Sequence, residues 1–204
     1  NEIDKTKSSE KGLDNRLYEI KAEKGIQREG NLELFIVEGK LRTDSGIWIY
    51  LNAKKGNFDQ VKNLIELNGE INFYTDEEDR FQSDNALFSI NDDLIEFNNN
   101  VKHVKGNDII TANEAKIKSN FNHIIYKGNV STAYIIDWFM FKNFFISFLF
   151  ILFANSANAK QIKIISDKLE IIREEHISIF SGDVYAVEDN LEIWSEELIM
   201  NSSK

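Results

Sequence analysis

The residues best suited by type to proton transfer or metal ligation are three histidines, His103, His123 and His176. No two of them are spaced H-x-x-x-H and none opens an H-x-E triplet. Each therefore reads as a solvated or half-buried strand residue rather than a ligand. There is no cysteine, which excludes disulfides, thiolate metal sites and cysteine nucleophiles. The carboxylate pairs Asp92-Asp93, Glu77-Glu78 and Glu196-Glu197 are adjacent in sequence. Neighbouring strand residues point to opposite faces, so these pairs do not suit general acid and base work. No G-x-S-x-G, P-loop or G-x-G-x-x-G is present, and strand-corner geometry accounts for the glycines. The expectation is a chain with no catalytic residue, metal site or cofactor, and so not an enzyme.

What the sequence does repeat is a pattern of apolar and turn-forming residues. A small residue, two polar residues and a small or apolar residue recur as Ala22-Glu23-Lys24-Gly25, Ala53-Lys54-Lys55-Gly56, Ser83-Asp84-Asn85-Ala86 and Ala112-Asn113-Glu114-Ala115, with starts 31, 30 and 29 apart. A second motif, a turn-forming residue, one residue and an aliphatic, comes 16 or 17 residues later as Gly39-Lys40-Leu41, Gly69-Glu70-Ile71, Asn99-Asn100-Val101 and Gly128-Asn129-Val130. Both return as Ser166-Asp167-Lys168-Leu169, Gly182-Asp183-Val184 and Ser195-Glu196-Glu197-Leu198.

Around the second motif the apolar period is two, which is a strand signature. Positions two before and two after the turn residue are Val37 and Leu41, Leu67 and Ile71, Phe97 and Val101, Tyr126 and Val130, Phe180 and Val184. Around the first motif the parity slips by one, which predicts a β-bulge or corner at the small residue. About 30 residues give two strands per repeat, with one dry and one wet face. Such units must stack, or fold into a two-sheet jelly roll with open edges.

Composition agrees with a folded chain: 204 residues, 42% hydrophobic and 28% charged. Twenty-four Lys plus Arg against 34 Asp plus Glu leave a net charge of -10, which repels phosphate backbones and excludes nucleic acid as a partner.

One segment fits neither strand face. Residues 144–153 are Phe, Ile and Leu with a single Ser147, about 15 Å as a helix and half of a bilayer's hydrocarbon. Met140 and Lys142 precede it, and Ala157-Asn158-Ala159 and then Lys160 come after it. A positive start, an apolar run and a small-residue cleavage site make up a secretory signal peptide. In mid-chain this predicts two adjacent reading frames joined end to end, the first stopping near Trp138 and the second starting at Met140. The expected organisation is a β module over 1–138, a helical signal-like segment over 140–159 and a truncated β module over 160–204. The strand around residues 122–132 should pair with that around residues 161–171.

The pattern I-x-I-x-S-D-K-L-x-I at residues 162–171, F-x-G-x-V at residues 180–184 and W-S-E-E-L-I-M at residues 194–200 resembles the OstA-like repeat of lipopolysaccharide transport proteins. Residues 1–138 look like the periplasmic domain of the LptC family without its anchor, and residues 140–204 like the N-terminal part of the LptA family with its signal peptide. The resemblance implies a β-jelly roll in the periplasm, associated with the inner membrane, whose apolar inner faces hold the acyl chains of lipopolysaccharide. It implies as partners other bridge proteins joined by edge-strand pairing and an inner-membrane ABC transporter. The groove-lining set is then Phe35, Val37, Leu41, Ile65, Leu67, Ile71, Phe73, Ile95, Phe97, Val101, Ile164, Leu169, Ile171, Phe180 and Val184. The alternative is an exported structural or adhesive β-solenoid with the same repeats and no lipid ligand.

Overall fold

A computed structural model describes residues 2–11, 17–28, 30–43, 46–89, 92, 94–118, 121–136 and 160–202. The signal-like segment lies outside the described residues. The strands are β1 (Glu2–Lys11), β2 (Leu17–Arg28), β3 (Asn31–Arg42), β4 (Trp48–Asp59), β5 (Leu64–Thr75), β6 (Asp79–Ser89), β7 (Leu94–Lys105), β8 (Asp108–Lys118), β9 (His123–Ile136), β10 (Lys160–Ile172), β11 (Ile177–Glu188) and β12 (Leu191–Asn201). They form one sheet in chain order, every pair antiparallel. The fold is all-β, as the repeats predict. The two sheets expected are one sheet bent across its strands.

The bend lies where the parity slips. The ladder breaks at Asn52/Lys55, at Asn68/Ile71, at Gln82/Asn85, at Asn98/Val101, at Thr111/Glu114, at Ser166/Lys168 and at Ser181/Val184. On the second-motif strands two consecutive residues turn into the left-handed region: Gly69-Glu70, Asn99-Asn100, Gly128-Asn129 and Gly182-Asp183. Glycine and asparagine adopt that conformation at least cost, which is why the motif needs them. On the facing strands the small residue is buried in the corner, as with Ala53, Ser83, Ala112 and Ser166. Where it is serine, its hydroxyl donates to the carbonyl two residues on: Ser83 to Asn85, Ser166 to Lys168 and Ser195 to Glu197.

The corner of β3 departs from the expected place. Gly39 is not left-handed; Ile36 is, at φ 53°. With no glycine or asparagine at Phe35-Ile36, only one residue is left-handed and the ladder keeps its register. The glycine at 39 answers a different need, because a Cβ there would lie 2.7 Å from Cγ of Leu51 across the ladder.

Folding at the corners brings the two halves of the sheet face to face. Phe73 and Phe81 on one half meet Phe97 on the other, with ring centroids 5.4 Å and 5.1 Å away. All three are at most 1% exposed. Burying each such ring stabilises the fold by about 1.5–3 kcal/mol, and the edge-to-face and stacked geometries add to that.

β9 and β10 pair antiparallel from His123↔Ile172 to Ile136↔Lys160. The expected contact between strands on either side of the signal-like segment is therefore present, in the middle of a continuous sheet.

Candidate functional site

The interior residues expected to line a groove all face between the two halves, with one exception. Val37, Leu67, Ile71, Phe73, Ile95, Phe97, Val101, Ile164, Leu169, Phe180 and Val184 are buried, and Leu41, Ile65 and Ile171 pack against them half-buried. Phe35 is the exception. The shifted β3 corner puts Leu34 inside in its place, and Lys55 Nζ lies 5.6 Å from the Phe35 ring.

Around β5 to β9 this interior is full. Phe73 touches Phe81, Phe88, Phe97 and Phe121. Open space lies farther along the sheet, in a cleft of about 700 Å³ between the β7–β8 turn, β9, β10, the β10–β11 turn and the end of β12. Its walls are mainly Ile110, Tyr134, Ile135, Ile162, Ile171, Ile177 and Met200, and Lys105, Asp108, Arg173 and His176 also line it. That volume lies within the range of small-molecule sites.

Between the filled and open parts stands a buried polar cluster. Asp79, at the start of β6, has a side chain only 1% exposed. Arg173 reaches it from the end of β10 in a two-point contact, Nη1 to Oδ2 at 3.0 Å and Nη2 to Oδ1 at 2.5 Å. Lys105 Nζ donates to Oδ2 at 2.9 Å, and His103 Nε2 lies 2.8 Å from Oδ1. The other ring nitrogen, Nδ1, is 2.5 Å from the Tyr126 hydroxyl, and Phe81 stacks on the imidazole at 4.0 Å. An ionised carboxylate only accepts, so Nε2 carries the proton and Nδ1 accepts from Tyr126.

Burial would raise the Asp79 carboxyl, but the hydrogen bonds from His103 and Arg173 and the guanidinium charge outweigh it and hold the group well below the usual carboxylate range. Burial lowers His103 against the pull of Asp79, so the imidazole is neutral and Arg173 carries the compensating charge. Burial raises the Tyr126 hydroxyl and pushes Tyr134, bonded to Ser178, up to about 12. Burial also raises Asp108 on the cleft wall.

His103 corrects the expectation that every histidine is solvated or half-buried, since it is 3% exposed. Two residues after Val101, it shares the parity of the dry face, and that parity is the signal in the sequence that marks it as buried. His123 is half-buried beside Glu170 at 2.6 Å, and His176 is exposed on its turn. No group of three or more metal-ligating side chains occurs among the described residues.

No family model matches the chain. It is 33% identical over 121 residues to an uncharacterized protein of Rickettsia prowazekii (strain Madrid E), a match over 59% of each chain. The chain thus spans less than two thirds of that relative's length. Among solved structures it is similar to LptH of Pseudomonas aeruginosa, described as the LptA homologous periplasmic component of the lipopolysaccharide transport device. That similarity is 10% identity at a TM-score of 0.46, over 60% of this chain and 75% of the other.

Proposed function

We propose that the protein is a periplasmic, non-enzymatic component of a lipopolysaccharide transport bridge and that it shields acyl chains between the two faces of its bent sheet. The observation that carries this is the apolar cleft of about 700 Å³, set in a sheet built from the repeats that resemble the OstA-like pattern. Each CH₂ withdrawn from water is worth about 0.8 kcal/mol, so an apolar cleft recovers much of what leaving a membrane costs. The sequence has no P-loop, so energy would come from an ATPase partner, an inner-membrane ABC transporter. Other bridge proteins would join by pairing with open sheet edges, and membrane association would reside in the LptC-like part.

A photo-crosslinker at Met200 should capture lipopolysaccharide and one at the exposed Glu66 should not. Equal capture at both positions, or none at Met200, would end this reading. The phenylalanine-filled interior of β5 to β9 favours the second reading, an exported structural β-sheet protein. Purification from a lipopolysaccharide-producing host separates the two, since that reading expects no co-purified lipid.

A further inference from the structure

Each first-motif strand carries a small residue in the repeat motif, so the repeat alone does not single out β10 from β2, β4, β6, β8 or β12 as the strand beside β9. Main-chain ladders supply affinity, while side chains in pockets supply the choice of partner. β10 differs from these strands just past its end. Seven residues after the small corner residue the other five strands have Glu29, Gln60, Ile90, Ser119 and Ser202; β10 has Arg173.

The groups that receive Arg173 all belong to the chain before residue 137. Asp79 is buried and oriented by His103, which is held in turn by Tyr126 and the face of Phe81. The carboxylate presents both oxygens to the guanidinium. Such a two-point fork is specific to arginine. The same turn is tied down at its base, where the Arg173 amide donates to the Asn122 carbonyl at 2.8 Å and Asn122 Nδ2 to Glu174 at 2.7 Å. Without the guanidinium, a nearly inaccessible carboxylate would keep only the neutral His103 and the half-exposed Lys105.

We infer that Asp79, His103 and Tyr126 form a preorganised arginine receptor by which the sheet up to β9 selects the strand added to its edge, and that its ligand is an arginine just beyond that strand's last ladder residue. The pair is a clasp between the segments on either side of residues 137–159, independent of any lipid.

Hydrogen exchange of the full chain tests this. R173Q should speed exchange of the β10–β12 amides by on the order of 10- to 100-fold, while β5–β8 keep wild-type protection. D79N should do the same, and the double variant should be no worse than either single one, because all remove one contact. R173K, which keeps the charge but loses the fork, should fall between. β10–β12 protection within twofold of wild type in R173Q, or equal acceleration in β5–β8, would overturn the inference. If R173Q and D79N do not fold, R173K, which keeps the charge and loses only the fork, decides. Fast exchange confined to β10–β12 supports the clasp, and wild-type protection there refutes it.

Discussion

At the scale of single residues, His103 makes the fold sensitive to mild acid. Its folded pKa lies below 6.5 because burial disfavours the imidazolium, so the unfolded chain binds the proton more readily. Its contribution to stability is complete above pH 6.5 and drains away as pH falls from there towards the folded value. Asp79 behaves differently: its depressed pKa gives stability that is present above 3.8 and lost only as pH falls through the folded value. Between pH 7 and 5 the histidine therefore dominates this cluster. Urea midpoints should fall over that interval, and the fall should shrink in His103→Gln even though that variant is less stable at pH 7. An unchanged slope would show that the imidazole is already protonated in the fold. Thr132 makes the opposite case. Its hydroxyl is buried in β9 without a hydrogen-bond partner, a condition that costs about 1–3 kcal/mol. Thr132→Val keeps the shape and removes the polar atom, so it should raise stability by about 1 kcal/mol, read as a higher urea midpoint at constant slope.

At the scale of the strand, the corner does most to shape the molecule. A Cβ on Gly128 would sit 2.7 Å from Asn113 Nδ2 with φ at +73°. Gly128→Ala should therefore cost about 1–3 kcal/mol from strain and crowding together, measured by thermal or urea unfolding. The corners were legible in the sequence because they break a strict period, and a one-residue slip in apolar parity has few other causes in a strand. Gly39 misled for a physical reason. A glycine required by the approach of Leu51 looks, in sequence, like a glycine required by backbone conformation. The same parity that found Val101 and Phe97 also runs through His103, but reading the histidine as a solvated or half-buried residue hid it. The Asp79–Arg173 contact was beyond reach: it spans 94 residues, and no local period reports which turn of one half meets which turn of the other. The filling of the interior by Phe73, Phe81, Phe88 and Phe97 was likewise hidden, since a dry face has the same pattern whether it lines a groove or closes on itself.

At the scale of the whole molecule, β12 is paired on one side only among the described residues. Leu191, Ile193, Trp194 and Ile199 are all more than 40% exposed. Edges that avoid pairing are usually short, charged or covered. β12 runs from Leu191 to Asn201 with apolar residues on both faces, and the preceding strands of its repeat type each have a neighbour on both sides. An added strand would complete its ladder and cover Trp194. Opposing this is charge. Each copy carries -10, and β12 itself holds Glu192, Glu196 and Glu197, so two copies repel at long range. The Debye length shrinks from about 10 Å at 0.1 M salt to about 3 Å at 1 M, which removes that repulsion while leaving hydrophobic and backbone pairing intact. Self-association measured by sedimentation should therefore increase with salt, opposite in sign to an assembly held by ion pairs. Trp194→Lys should weaken it at every salt concentration, because it removes apolar area and places a charge on the edge. Association that falls as salt rises, or that ignores Trp194→Lys, would place the contact elsewhere on the surface.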